Sequence, residues 1–341
     1  MALPDAQAPA APAVPTLEGP TVTGRRLALL RAVRQHSFAM ALVLAVILLI
    51  VNLLTESGGF GLTAQLANLA PVAVAAMAST PSIVSGGGGF DLTISPVMTF
   101  IGAAAGLWLI PNGLGGWELV PLLLLIGAAV GAINGLIIMI LRVPPVVATL
   151  SMYFVFLGVD LQMAPTPLIL SSNSWFTHLS GSVGPIPGAV FTIGGPLLIW
   201  WLLGLTPYRR TLFAVGSNGP AAFSAGVNVA LVRVTAFSLG GLFAAFGGLA
   251  LMSLVLTVNA GSAANYTLLA IASVALGGTS LAGGRGGLIG AVLGAACIYL
   301  LGNLLIILQI DPSWLQVLYG VMLVVAVVLS GGLANATGER S

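Results

Sequence analysis

The sequence predicts an all-α fold, a polytopic bundle of transmembrane helices with about ten spans in two inverted repeats of five helices. Composition is the first observation behind this prediction, because 58% of the 341 residues are hydrophobic and only 5% are charged. Soluble domains carry about 25% charged residues, so almost no room remains for a soluble domain. The second observation is that apolar stretches of about 20 residues, the length of one span, recur along the chain.

The chain divides into a tail, a transmembrane domain and a second tail. Residues 1–36 are rich in Ala and Pro and lack an apolar core, which indicates a disordered tail. This tail is not a signal peptide, because the first apolar run begins only at Phe38. Residues 37–330 form the transmembrane domain and residues 331–341 form the C-terminal tail. A cluster of arginines just before the first span places the N-terminus on the cytoplasmic side.

The positions of the arginines test the number of spans. We place the spans at residues 37–54, 62–84, 91–110, 119–141, 144–163, 188–205, 231–257, 266–281, 286–308 and 313–330. With a cytoplasmic N-terminus, this count puts every later arginine on the cytoplasmic side: Arg142, Arg209, Arg210, Arg233, Arg285 and Arg340. One span more or fewer would scatter the arginines over both faces. Both termini are therefore expected to be cytoplasmic.

Two pairs of segments resemble each other across the halves of the chain. GAAVGAINGLIIMILRVPP (127–145) and GAACIYLLGNLLIILQIDP (294–312) each place an asparagine eight residues before a charged residue. GFDLTISPVMTFIGA (89–103) and NYTLLAIASVALGG (265–278) each place a polar residue before a leucine at the start of a helix rich in small residues. The span count gives the first pair opposite orientations. The halves are therefore predicted to be inverted repeats with a transport path between them.

The residue inventory excludes several kinds of chemistry. All ten cationic side chains are arginine, whereas a P-loop needs a lysine on the β- and γ-phosphates. If ATP drives this protein, another subunit binds and hydrolyses it. A single cysteine, Cys297, rules out an intrachain disulfide, and two histidines, His36 and His178, cannot form a metal cluster. We therefore expect no catalytic, cofactor or metal site and no nucleic-acid partner.

A glycine cluster joins two apolar stretches in VALGGTSLAGGRGG, residues 274–287. Its candidate packing or gating residues are Gly277, Gly278, Gly283, Gly284 and Arg285. Small residues let helices approach closely in lipid, and a glycine-dense turn is tolerated at membrane depth only where protein or a water-filled cavity covers it. Close packing alone is the simpler interpretation. A nucleotide site is a poor one, because Ile289 stands where the dinucleotide-binding pattern needs its third glycine.

Five polar side chains in or beside spans are candidates for the translocation path: Gln65, Asn68, Asp91, Asn134 and Asn303. Acids at membrane depth are costly and often functional, although an aspartate that follows four glycines also suits a helix cap. Gln65 and Asn68 lie on one helix face and could hydrogen-bond a hydroxylated substrate. Interhelical hydrogen bonds are the alternative role for the amide side chains.

One sizeable cytoplasmic loop, residues 206–233, separates two spans. Its middle predicts a short surface helix, because Ser217 or Asn218 can cap it and Pro220 suits its first turn. The residues assigned to this helix are Ser217, Asn218, Pro220, Ala221, Ala222 and Gly226, and the glycine ends it. An exposed helix between spans suits docking to a soluble partner, and a simple connector is the alternative. The longest outer loop, residues 164–187, is a candidate for docking an extracytoplasmic partner.

Over about residues 40–330, these stretches resemble the ribose/xylose/arabinose-type permease subunits of bacterial ABC importers, in the branched-chain amino acid and sugar permease superfamily. ALGGTSLAGGRGG is a near-verbatim match to the family pattern, and GGFDLT resembles its GG-[IV]-DLS element. NGLIIMILRVPPVVATLSM resembles NG-L…R-[IV]-PPF-[IV]-ATLG. TPYRRTLFAVGSNGPAAFSAGVNV resembles the T-x-x-GR-x-[IVL]-[YF]-A-[IV]-G-x-N-x-x-AA-x-x-SG-[IV] loop.

The chain departs from this pattern in the loop and in the eighth helix. Arg209 stands where the family has glycine, Gly219 and Pro220 where it has acids, and Phe223 where it has an arginine. Thr267 stands where a glutamate commonly precedes the leucine of the eighth helix. The loop departures bear on which ATPase is the partner, and Thr267 bears on the substrate.

The resemblance implies a core of two permease copies, identical or different, in the bacterial inner (plasma) membrane. It also implies cytoplasmic ABC ATPase subunits, which bind the ATP, and a periplasmic or extracellular sugar-binding protein. The helix within residues 217–226 would be the ATPase-coupling element, and the solute would be a monosaccharide or polyol. A nucleoside or a branched-chain amino acid is the close alternative for the solute.

Two hypotheses from other classes stay open. An ion-coupled secondary transporter would use buried carboxylates as proton or sodium sites, and Asp91 is the one acid that is expected to lie deep. An integral membrane enzyme is the third hypothesis, and the sequence lacks a constellation of His, Asp, Glu or Cys side chains for it.

Overall fold

The computed structural model describes residues 24–55, 61–114, 116–170, 175–311, 313–321 and 324, with side chains from Phe38 onward. Residues 1–23 and 331–341, which carry most of the tail predictions, lie outside this description. So does most of the second half of the tenth predicted span.

The described chain is a helical bundle, as the sequence predicts. Its helices are α1 (Gly24–Thr55), α2 (Leu62–Val84), α3 (Ile94–Ala103), α4 (Leu119–Leu141), α5 (Pro145–Met163), α6 (Ala189–Gly204), α7 (Pro207–Ser217), α8 (Gly219–Ser224), α9 (Val229–Val255), α10 (Tyr266–Leu276) and α11 (Leu288–Ile307). A π-helical turn, Ala104–Leu109, continues α3, and residues 313–321 are again helical. The first helix begins at Gly24, inside the predicted tail, because the stretch RRLALLRAV is rich in good helix formers.

Short strands occur only at the loops within the described residues. β1 (Leu168–Ile169) pairs antiparallel with β4 (Thr257–Val258), and β2 (Ser182–Val183) pairs antiparallel with β3 (Ile186–Pro187). A 3₁₀ turn, Trp175–Leu179, lies between β1 and β2 in the chain. Through β1 and β4, the residues that directly follow α5 fold back onto the end of α9.

Within the part of the chain that the structure describes, six helices are long and apolar enough to cross a membrane: α1, α2, α4, α5, α9 and α11. Helices α6 and α7 add a seventh crossing if they are taken as one span, and they are bent by 90° where Pro207 begins α7. The apolar segments Ile94–Leu109 and Tyr266–Leu276, in the third and eighth predicted spans, are shorter. The count of ten spans stays a prediction.

Glycines set the closest helix contacts of the core. Helices α4 and α9 cross where Gly131 faces the carbonyl of Phe237 and Gly127 faces that of Gly241, and a Cβ at either glycine would collide with the α9 backbone. Helices α10 and α11 cross in the same way at Gly277, which faces the carbonyl of Gly290. Such backbone approach is how helices associate where water supplies no driving force.

Candidate functional site

Three glycine-rich segments meet at the end of the bundle that the arginine pattern predicts to be cytoplasmic. The Gly284 amide donates a hydrogen bond to the Val84 carbonyl at 3.0 Å, and the Ser217 hydroxyl lies 3.4 Å from the Gly284 carbonyl. We call this contact the glycine junction. It comprises residues 84–88, 216–219 and 283–286. It joins the end of α2, the end of α7 and the turn before α11.

Gly86 and Gly283, at this contact, cannot be replaced without moving the backbone. A Cβ at Gly86 would lie 2.7 Å from the Gly216 carbonyl oxygen, and one at Gly283 would lie 2.5 Å from the α-carbon of Gly86. Gly283 also has a φ of 99°, in the left-handed region that favours glycine. Both conformation and close approach therefore require these residues.

The structure divides the glycine cluster that the sequence singled out. Gly277 lies at the crossing of α10 and α11, and Gly278, with a φ of 83°, follows the end of α10. Gly283 and Gly284 lie in the glycine junction instead. The Arg285 carbonyl accepts a hydrogen bond from the Ser280 amide at 3.1 Å, and its side chain is exposed. Packing accounts for Gly277, and backbone conformation accounts for Gly278.

The short helix α8, the predicted coupling helix, begins directly at the glycine junction. The Asn218 side chain caps it by accepting a hydrogen bond from the Ala221 amide at 3.0 Å, and Pro220 lies in its first turn. Ala222 is buried, whereas Phe223, which departs from the family pattern, is 72% exposed. Gly226, with a φ of 83°, follows the helix end. The coupling role of α8 stays a prediction.

The side chain of Arg233 extends from the first turns of α9 into the glycine junction. A Cβ built on Gly87 would lie 2.5 Å from its Nη2 atom, and one built on Gly219 would lie 3.7 Å from the same atom. The Nε atom is buried without a hydrogen-bond partner. In the sequence analysis Arg233 served only to orient a span. No neighbouring residue in the sequence indicates that its guanidinium points into the glycine junction.

Helices α3 and α10 meet end to end at their N-termini. The Thr267 amide donates to the Ser95 hydroxyl at 2.8 Å, and the Ser95 amide donates to the Thr267 hydroxyl at 3.0 Å. Each hydroxyl thus satisfies a free amide in the first turn of the other helix. Both residues are buried. The two helices belong to segments that the sequence paired as repeats, and an inverted repeat would produce such a contact.

A buried polar network lies just before α3. The Asp91 carboxylate accepts hydrogen bonds from the Thr93 amide at 2.9 Å and the Thr93 hydroxyl at 2.6 Å. The Asn134 side-chain amide donates to the Thr93 hydroxyl at 2.8 Å, while its Oδ1 atom is buried without a partner. The network brings together two predicted path residues, Asp91 and Asn134, through a threonine that the sequence did not single out.

The other predicted path residues lie elsewhere in the bundle. Tyr299 donates to the side-chain carbonyl of Gln65, and Asn303 donates to Asn52 on α1 at 2.9 Å. These contacts match the interhelical alternative for Gln65 and Asn303. Asn68 donates to the carbonyl of Ala64 in its own helix at 2.8 Å.

A second buried acid, Asp160, was not among the predicted path residues, although the fifth predicted span, 144–163, contains it. Asp160, on α5, is 1% exposed and accepts a hydrogen bond from the Thr99 hydroxyl on α3. Its Oδ1 atom is buried without a partner. An acid inside an apolar run is a signal that could have identified it, because charge at membrane depth is costly.

Comparisons with known proteins find permeases. The family described as branched-chain amino acid transport system / permease component matches residues 61–327. The probable ABC transporter permease protein YphD of Escherichia coli is 34% identical over 91% of this chain and 94% of its own length. The fructose import permease protein FrcC of Rhizobium meliloti is 30% identical over 79% of this chain and 77% of its own.

The same comparisons find ribose permeases among the relatives. The ribose import permease protein RbsC of Haemophilus influenzae is 31% identical over 72% of this chain and 78% of its own length. No solved structure gives a significant match.

Proposed function

We propose a transport function from one premise: the chain belongs to the branched-chain amino acid transport system / permease component family. It is the permease subunit of an ABC importer for a sugar, and a separate subunit hydrolyses the ATP. The observation that carries the proposal is the match along nearly the whole chain to an ABC transporter permease. Relatives named as ribose and fructose import permeases support a monosaccharide as the solute.

The polar groups inside the bundle support a neutral hydroxylated solute over an amino acid. The contact between α3 and α10 is formed by two hydroxyls, those of Ser95 and Thr267. Near it lie the Thr93 hydroxyl and the Asn134 amide, with Asp91 as the charged member of this network. A zwitterionic amino acid needs partners for two charges, whereas hydroxyls and amides exchange hydrogen bonds with a sugar without leaving charge uncompensated. The glutamate that the family carries is replaced here by a hydroxyl.

The glycine junction supports a mechanical role for α8. Ser217 and Gly216, at the base of α8, contact the residues that end α2 and precede α11. A push on α8 by a cytoplasmic ATPase would therefore reach three parts of the bundle at one point. The exposed ring of Phe223 offers an apolar surface for that partner. The importer would also contain a second permease copy and an extracytoplasmic sugar-binding protein in a bacterial inner membrane.

Uptake by the reconstituted importer tests this proposal. The chain would be placed in liposomes with its ATPase and its sugar-binding protein, and uptake of radiolabelled ribose, fructose, xylose and leucine would be measured with and without ATP. We expect ATP-dependent accumulation of at least one sugar and none by the chain alone. Accumulation driven by an ion gradient without ATP would refute the proposal in favour of secondary transport. Accumulation of leucine but of no sugar would correct the solute class.

A further inference from the structure

The guanidinium of Arg233 packs against the backbone of two glycines, Gly87 and Gly219. A Cβ at Gly87 would lie 2.5 Å from Nη2, 2.8 Å from Cζ and 3.0 Å from Nη1, so any side chain there would displace the guanidinium. Gly219, the first residue of α8, flanks the same group, since its Cβ would lie 3.7 Å from Nη2. Arg233 therefore lies between α8 and the loop that follows α2.

The loop on which Arg233 rests leads directly to the interior of the bundle. It runs from the end of α2 through Gly87 to Asp91, whose carboxylate binds the backbone and hydroxyl of Thr93. Helix α3 begins directly after Thr93, and its first turn contacts α10 through Ser95. Few residues therefore separate the arginine from the contact between the two short helices.

We propose that Arg233 is a positioning residue that transmits displacement of α8 to the loop before α3, and so to the contact between α3 and α10. This inference rests on the proposed function, because it assigns the route by which an ATPase would move the path. The guanidinium suits this role because its planar fork is rigid. The buried Nε–H group of Arg233 lacks an acceptor, and an unpaired buried donor raises the free energy of this arrangement. A shift of the glycine junction that supplies an acceptor would therefore lower the free energy.

Neighbouring glycines provide a matched pair of variants. Gly87 and Gly88 have φ values of 64° and 71°, so alanine imposes similar backbone strain at both. At Gly87 the new methyl group meets the guanidinium of Arg233, whereas nothing lies within 4 Å of a Cβ at Gly88. G88A is thus the control for G87A, and removal of the Arg233 side chain should abolish the difference between them.

The experiment measures sugar transported per ATP hydrolysed by the reconstituted importer, with whichever of ribose and fructose the wild type accumulates. We expect G87A to lower this ratio severalfold relative to G88A, because its methyl group pushes the guanidinium out of the position that the proposed transmission requires. R233A should lower the ratio of sugar transported to ATP hydrolysed while ATP hydrolysis persists, because the ATPase would hydrolyse ATP without moving the contact between α3 and α10. G87A/R233A should equal R233A, whereas G88A/R233A should combine the effects of its two changes.

Three outcomes would overturn the inference: equal ratios for G87A and G88A, a multiplicative effect in G87A/R233A, or a wild-type ratio in R233A. If G87A does not assemble, the yield of purified complex becomes the measurement. Restored yield in G87A/R233A then supports the contact, and unrestored yield refutes it. A wild-type complex without ATP-dependent sugar uptake would instead refute the proposed function. A purely structural role of Arg233 would lower the yield of complex and the rate of ATP hydrolysis together. It would leave the amount of sugar transported per ATP hydrolysed unchanged.

Discussion

The reciprocal contact between α3 and α10 gives a quantitative prediction for the Thr267→Val variant. Valine keeps the shape of threonine but removes the hydroxyl, so the buried Ser95 amide loses its acceptor. The Ser95 hydroxyl loses one of its two partners and keeps the Thr267 amide. A buried donor without an acceptor costs about 1–3 kcal/mol, and hydrogen bonds between membrane helices average about 0.6 kcal/mol. We therefore expect T267V to lower the free energy of unfolding by about 1.5 kcal/mol.

Thr192→Val on α6 is the matched control for this variant. Thr192 is also a buried threonine, but its hydroxyl bonds only the carbonyl of Ala189 in its own helix, so we expect a loss below about 0.5 kcal/mol. Unfolding of the purified protein by SDS, followed by circular dichroism, measures both. In S95A/T267V the loss should fall short of the sum of the single losses, because each single change already removes the hydroxyl–hydroxyl bond. Equal losses in T267V and T192V, or strict additivity, would refute the assigned contact.

Three further predictions concern the helix ends and crossings. N218A should lower sugar transport per ATP more than N228A, because both remove a helix cap worth about 1 kcal/mol but only the first destabilises α8; equal losses would contradict a coupling role. G131V should abolish recovery of folded protein in detergent, because its side chain meets the α9 backbone, whereas G158V in α5, with nothing within 4 Å, should be tolerated. F223E should weaken co-purification of the ATPase severalfold, and unchanged co-purification would exclude this ring from the interface.

Features encoded by short stretches were predicted well from the sequence. The helix α8 follows from an asparagine, a proline and a glycine at fixed offsets, and the structure places Asn218 as its cap. The start of α7 at Pro207 was not predicted, although proline suits the first turn of a helix. These signals act over a few residues, so a single sequence carries them completely.

Contacts between distant segments could not be predicted in this way. Gly86, Gly216 and Gly283 meet in the glycine junction, yet their spacing along the chain contains no information about register. The sequence identified all three segments separately, as the glycines before Asp91, as the cytoplasmic loop 206–233 and as the glycine cluster, without placing them together. The departure at Thr267 from the family pattern was expected to bear on the substrate, but its hydrogen bonds with the start of another helix could not be predicted from that departure.

The contact between α3 and α10 brings the N-termini of two helices together in a region of low dielectric constant. The N-terminus of each helix carries a partial positive charge, so the two ends repel each other, and hydrogen bonds between Ser95 and Thr267 oppose this repulsion. A glutamate at position 267 would instead attract both ends through a full negative charge and hold them more firmly. The neutral hydroxyl therefore leaves the two helix ends joined by hydrogen bonds alone, and T267E should raise the free energy of unfolding measured in SDS.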